Sequence, residues 1–339
     1  MVDGGVIDNF DKLYTQLCDA HCHPHDDLEN LSVIARLKTA HLTVMGVRQD
    51  DWGTVSRVCS GENKYKCVPC FGVHPWFTYR VKAPNQSELQ GKEAFYDAVL
   101  QARIPEEKTE MIKQLPPPVE FDAWYSELRE YLQNHRQALV GEVGLDRAAR
   151  LLPGGAIEWH GVKPTTVQCT VEHQLEILQA QLDLAREFKR AVSIHCVQSQ
   201  GHLLTLLQRS SNAAAAANKA KAAAAAAADR VRVCIHSYGG SPGTISQFMQ
   251  LKGFLVYVSF SVAINGRLKK EKLAQLICSV PEDRLLIESD LNSPLGLDEK
   301  MIEIAKIVAE ARQWSLEQVA QRTFSNWRTF VGQSDSSSS

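Results

Sequence analysis

Six residues able to ligate a metal stand at the ends of short apolar runs: His21 and His23 in DAHCH, Glu142 in GEVGLD, His195 in SIHC, His236 in CIHS and Asp290 in IESD. On an extended strand, residues i and i+2 point to the same side, so an H-x-H pair can grip one ion together. Alone, such a pair carries little weight, because two surface histidines reach this spacing by chance. Imidazoles and carboxylates gathered at successive strand ends are costly to bury without a ligand, and together the six point to a metal site. Mixed donors of this kind suit Zn²⁺, Mn²⁺, Co²⁺ or Mg²⁺ with open coordination positions, the arrangement that activates water. Six donors exceed the need of one tetrahedral ion. Two divalent ions about 3.5–4 Å apart, bridged by one carboxylate, are the expected solution.

The elements that must position these residues are legible as alternating patterns. Eight β-rich apolar runs occur in order, YTQLCDAH, HLTVMGV, CVPCFGVH, ALVGEVGL, AVSIHC, VRVCIHS, FLVYVSF and RLLIESD, with helix-periodic stretches between them. Leu175, Leu178, Leu182 and Ala185 keep one apolar face, as do Met301, Ile304, Ala305 and Val308. Ser315 followed by Gln318 has the spacing of a capping box before the last helix. Eight strands alternating with helices predict a single (β/α)8 TIM barrel over residues 13–332, whose strand ends converge on one face.

The chain has 339 residues, a formal charge of −2 and nine cysteines. That charge gives no global basic field, so it neither proposes nor excludes a nucleic-acid partner. The cysteines are scattered and several fall in strand-like runs, which predicts reduced thiols; Cys67 and Cys70 form a C-x-x-C, but packing accounts for it better than redox chemistry. The N-terminal stretch lacks an apolar signal region and no run of about 18 apolar residues occurs, so the expectation is a protein of the cytoplasm or nucleus with no membrane partner.

The ordered segments DAHCH, GVHP, GEVGLD, SIHC, HSYGGS with GFLVYVSFS, and IESD, followed by a terminal NWRTF, resemble the successive landmarks of the TatD family of metal-dependent deoxyribonucleases. The resemblance runs over nearly the whole chain. It implies a barrel hydrolase with 3′-to-5′ exonuclease activity, acting on DNA or another phosphoester substrate. Carried over residue by residue, it makes His21 and His23 ligands of one ion, Glu142 the bridge, His195 and His236 ligands of the other, and Asp290 the last carboxylate, placed to hold or deprotonate the attacking water. His74 resembles a phosphate-contacting histidine of the family; the other reading is a strand-end histidine paired to backbone.

The sequence departs from that pattern in its substrate surroundings. Val197 stands where the family commonly has an arginine, and Leu291-Asn292-Ser293-Pro294 replaces the usual Ala-Pro continuation. The resemblance therefore implies a divergent, eukaryotic or fungal branch. A basic run at residues 265–272 either steers phosphates at the rim or is an ordinary solvated helix start. Trp76 and Trp159 lie in expected loops, where they either stack bases or are buried by ordinary packing. Residues 80–120 and 147–170 read as insertions, the second a long loop at the active face; residues 210–229, rich in alanine, read as a tolerated surface insertion, and 333–339 as a disordered tail. Two other functions stay open: an amidohydrolase-type enzyme on a small lactone, amide or phosphoester, and a catalytically weak barrel serving as a protein-interaction scaffold.

Overall fold

The computed structural model describes residues 8–157, 161–217 and 230–333. Ten strands are present among them: β1 (Cys18–Cys22), β2 (His41–Met45), β3 (Cys67–Phe71), β4 (Leu100–Ala102), β5 (Leu139–Asp146), β6 (Val167–Cys169), β7 (Val192–Val197), β8 (Val231–Ile235), β9 (Phe254–Phe260) and β10 (Leu285–Ile287). Eight pair in parallel in the order β1-β2-β3-β5-β7-β8-β9-β10. The ends of the first and last meet through backbone hydrogen bonds, Asp290 N to His21 O at 3.0 Å and His23 N to Leu291 O at 2.7 Å. The sheet thus closes at the strand ends that carry the chemistry.

Helices Gln49–Val58, Phe121–Asn134, Val171–Glu187, Gln200–Ala217, Pro242–Met249, Lys270–Ser279 and Leu297–Arg312 follow successive strands. Their apolar faces bury Trp52, Trp124, Leu128, Leu178, Leu182 and Met301 against the outside of the barrel. A separate cluster takes Cys18, Met45, Cys70, Leu139, Cys234, Tyr257 and Leu286 from the strands and adds Trp327 and Phe330 from the terminal helix Leu316–Val331. These are the inward-facing positions, so the barrel is filled and one end is stoppered by that helix. Trp327 fastens the stopper by donating from Nε1 to Thr43 Oγ1 at 2.9 Å. The expected capping box starts the helix, with Ser315 Oγ accepting from Gln318 N at 3.2 Å and Gln318 Oε1 accepting from Ser315 N at 2.9 Å.

The two expected insertions are not independent loops. The first contains helices Gly91–Val99 and Pro105–Gln114 around β4, and the second contains β6. These strands pair antiparallel, Leu100 opposite Cys169 and Ala102 opposite Val167. Tyr79, Phe95, Tyr96, Met111, Leu115 and Leu151 form a second core beneath them. The excursions leave after β3 and β5 and return to the helices that follow, so both belong to the strand-end face. Burying about ten apolar side chains in common gives the pair a stability that neither loop has alone.

The segment at 210–229 begins as a continuation of helix Gln200–Ala217. Its remainder, Trp159 and residues 334–339 lie outside the described residues. All nine cysteines are free thiols and eight are buried, Cys67 and Cys70 among them. Among the described residues no helix is long and apolar enough to cross a membrane.

Candidate metal centre

Strand alternation turns both histidines of the H-x-H pair toward Glu142, and the structure fixes the tautomer of His23. His23 Nδ1 faces the Met45 carbonyl oxygen at 3.2 Å and must donate to it, which leaves a lone pair on Nε2 when the ring is neutral. His21 Nδ1 is held by Ser193 Oγ at 2.9 Å. The two Nε2 atoms lie 3.2 Å apart, and each faces Glu142 Oε2, at 3.2 Å from His21 and 3.3 Å from His23.

The other oxygen of the same carboxylate collects a second group. Glu142 Oε1 lies 2.9 Å from His236 Nε2, 3.0 Å from His195 Nδ1 and 3.0 Å from His74 Nε2. On its far side, the His195 ring donates from Nε2 to Asp146 Oδ2 at 3.1 Å, so the nitrogen turned inward is an acceptor in the neutral ring. Asp146 is itself anchored by Trp76 Nε1 at 2.8 Å and by the backbone N–H groups of Ala148 and Ala149. The strand segment that presents these groups needs Gly144: its φ is +147°, and a Cβ there would come within 2.0 Å of the His195 carbonyl oxygen.

Asp290 stands slightly apart. Its Oδ1 lies 3.8 Å from His21 Nε2 and 3.7 Å from His23 Nε2, and its Oδ2 lies 3.9 Å from His236 Nδ1. Asp290 and Ser237 both hold positive φ, 53° and 41°, without being glycine, a conformation that costs on the order of 1 kcal/mol each and that clusters at functional sites. Ser237 donates from N to Glu288 Oε1 at 2.8 Å, and its one hydroxyl proton is shared between Glu288 Oε1 at 2.6 Å and Asp290 Oδ2 at 3.2 Å.

The charges of the cluster act strongly on one another. Burial alone would raise the Glu142 carboxyl, but the His74, His236 and His21 rings hold it well below the usual carboxylate range. Burial likewise opposes charge on His23, yet Glu142 raises that ring to about 9, and the carboxylates around His195 and His236 raise theirs. His74 goes the other way, lowered to about 4 by burial. Protons on imidazole are thus recruited to neutralise buried carboxylates, a task a divalent cation performs without placing two ring nitrogens in opposition. His236 Nδ1 and Glu288 Oε2 are also buried without a hydrogen-bond partner. Imidazole and carboxylate donors with opposed lone pairs and orphaned atoms fit a divalent metal. Three overlapping groups could hold one: His21, His23 and Glu142; His74, Glu142 and His195; and His21, His236 and Glu288.

All seven residues singled out from the sequence therefore meet in one place, although Asp290 belongs to none of the three tightest groups. Asp146, Glu288 and Asp19 stand in the strand ends that the sequence singles out but were given no role there, and Ser193 was missed. A signal existed for two of them, since Asp146 is four residues from Glu142 on one strand and Glu288 two from Asp290, spacings that share a face. Asp19 is fully buried and ties β1 to the last strand end by accepting from His21 N at 3.1 Å and Ser289 N at 3.0 Å; burial pushes its carboxyl up to about 7. Two of the four basic side chains in the run after β9 are tied down. Lys270 pairs with Glu310 at 2.7 Å, Lys272 reaches the Gly239 carbonyl at 3.4 Å, and Asn265 is buried against the backbone of Ser237 and Tyr238.

Comparison with known proteins agrees with this geometry. The family model described as TatD related DNase matches residues 18–332. The chain is 34% identical to the Cut9-interacting protein scn1 of Schizosaccharomyces pombe, over 93% of this chain and 98% of that one. It is 26% identical to an uncharacterized deoxyribonuclease of Saccharomyces cerevisiae, over 93% and 99% of the two chains. The crystal structure of YJJV, a TatD homolog from Escherichia coli, shares the fold with a TM-score of 0.61 at 18% identity, over 94% of this chain and 98% of that one. A match of such length, on a barrel whose strand ends gather this cluster, means that the chain belongs to the TatD-related DNase family.

Proposed function

We propose that the chain is a metal-dependent phosphodiesterase acting on DNA, with two divalent ions sharing Glu142. One observation carries the reading: the two oxygens of a single buried carboxylate each face a different set of imidazoles, His21 and His23 on Oε2, His195, His236 and His74 on Oε1. His21, His23 and Asp290 would hold one ion, His195 and His236 the other. When bound, such a pair supplies a water of lowered pKa and a positive clamp for phosphate oxygens.

The chain's own residues supply orientation and proton transfer. Asp146 and the Met45 carbonyl keep His195 and His23 in the tautomers that turn a lone pair inward. Asp290, whose Oδ1 lies 3.8 and 3.7 Å from His21 and His23 Nε2, would hold the attacking water beside that ion and accept its proton. His74 Nε2 points at the same Glu142 oxygen as His195 and would meet a phosphate oxygen from that side. Trp76 presents a half-exposed ring at the mouth, fixed by its bond to Asp146, where a base can stack.

The test is hydrolysis of end-labelled single-stranded DNA, duplex DNA and RNA with Mg²⁺, Mn²⁺ or Zn²⁺, against a chelated control. Metal-dependent shortening of DNA from the 3′ end supports the proposal; retained metal without turnover on any of them sinks it. A second reading, a barrel that binds a protein partner, draws on the name of the 34%-identical fission-yeast relative and on Val197 in place of the family's arginine. Binding that survives Glu142→Gln while turnover disappears would show that the two functions use separate surfaces.

A further inference from the structure

The paired excursions at the strand-end face form a half-open cavity of about 590 Å³ away from the metal cluster. Its lining includes Gln101 and Arg103 from around β4, Arg150 and Lys163 from the loop between β5 and β6, and Thr165 and Gln168 from the approach to β6 and from β6 itself. No carboxylate lines it. Arg103, Arg150 and Lys163 are exposed, and none forms an ion pair with an acid among the described residues. The acid beside them, Glu107, is already engaged: its Oε2 accepts from Thr166 N and Thr166 Oγ1, both at 2.6 Å. Arg150 Nη1 is spread over the carbonyls of Arg147, Ala148 and Ala149, which fixes where the guanidinium sits.

Among the described residues, three cations share one nearby carboxylate, Glu107, on which Arg103 and Lys163 both act, so an excess of positive charge remains around a concave surface and is relieved by an anion. The cavity offers more than charge. Gln168 Oε1 is buried without a donor, and Gln101 stands directly opposite on the paired strand, so a ligand carrying hydrogen-bond donors as well as phosphates answers the lining better than inorganic phosphate does. Arg150 follows Asp146 by four residues, which puts its Cα within about 15 Å of the residue that orients His195. One polynucleotide strand can reach both places; a small phosphoester cannot.

We infer that this cavity is a second binding site for the nucleic-acid strand, in which Arg103, Arg150 and Lys163 hold backbone phosphates of a polynucleotide whose scissile bond lies at the metal cluster. The inference rests on the phosphodiesterase reading for the identity of that cluster, but binding tests it independently of turnover. It assigns to the accessory unit a role in choosing polymeric over small substrates.

The experiment uses the metal-loaded full chain, a fluorescent phosphorothioate DNA of about 12 nucleotides for binding, and bis(p-nitrophenyl) phosphate as a small diester. The double variant Arg103→Glu/Lys163→Glu is expected to bind the DNA at least about tenfold more weakly at low salt. Its plot of log affinity against log salt should be shallower by about 1.4, which is about 0.7 for each lost phosphate contact. Hydrolysis of the small diester should be unchanged. Arg103→Gln/Lys163→Gln should lose affinity without the reversed charge, and a thermal melt equal to wild type confirms that the unit stays folded. Unchanged affinity and salt slope overturn the inference, as does competition by polyglutamate equal to that of DNA. A wild type that hydrolyses nothing, yet loses DNA binding in both double variants, would leave this site standing while removing the hydrolase reading. DNA cleavage unaffected by either variant would do the reverse.

Discussion

Asp146→Asn changes one atom type beside the cluster, and its consequence can be worked from the contacts. Asp146 Oδ1 accepts from Ala148 N at 2.7 Å and Ala149 N at 2.9 Å, while Oδ2 accepts from His195 Nε2 at 3.1 Å and Trp76 Nε1 at 2.8 Å. An asparagine keeps its oxygen toward the two backbone amides and turns its NH₂ toward His195 and Trp76. His195 Nε2 must then accept, so the ring proton moves to Nδ1, where it faces Glu142 and blocks the inward lone pair. Burial opposes the Asp146 charge, but the bond from His195 and its neighbours bring the carboxyl down to about 2. A shift of that size corresponds to about 2 kcal/mol of interaction with the charged form, within the 10- to 100-fold loss of metal affinity typical when such a supporting carboxylate is removed. The assay is competition between apo-protein and a chromogenic chelator for Zn²⁺. Weaker binding of one of the two ions, with the other unchanged, is expected. Equal affinities in wild type and variant would refute the tautomer argument.

Three further outcomes follow from the same contacts. Glu142→Gln should lower the rate on DNA by roughly 10²–10³, and His74→Ala by less, because the first removes a charge shared by both ligand groups; equal losses in steady-state assays would put His74 in the catalytic core. Gly144→Ala should destabilise the fold by roughly 2–4 kcal/mol in a denaturant titration and weaken metal binding, since its Cβ would collide with the His195 carbonyl; a stable, fully loaded variant would contradict that close approach. His173, in the seam between barrel and accessory unit, faces the carbonyls of Thr78 and Val81 at 2.9 and 3.1 Å, and burial lowers it to about 4. Its folded pKa lies below the unfolded value of about 6.5, so the unfolded chain binds more protons and stability falls as pH drops from about 6.5 toward 4, by up to about 3 kcal/mol; His173→Gln should flatten that slope in melts taken across the range.

The strand ends were legible because each combines a β-rich run with a residue that does not belong in a core. H-x-H, GEVGLD and IESD therefore gave both the barrel and most of the cluster. The regular part of the last strand is shorter than its RLLIESD run, ending at Ile287, because Asp290 turns to positive φ to face the histidines. The accessory unit was opaque for a different reason. Strand β4 is three residues long and follows a helix directly, and its partner β6 is more than sixty residues away, so no local period announces the pairing. Asp146 was visible as part of a strand end, but its value lies in holding the far side of His195, a relation that only the folded geometry reveals.

The shared carboxylate is the centre of the account, and metal stoichiometry tests it most directly. Apo-protein reconstituted with Zn²⁺ or Mn²⁺ and freed of excess by gel filtration should carry about two ions per chain by elemental analysis, and Glu142→Gln about one or fewer. Absence of retained metal in wild type, or two ions retained regardless of Glu142→Gln, would contradict it.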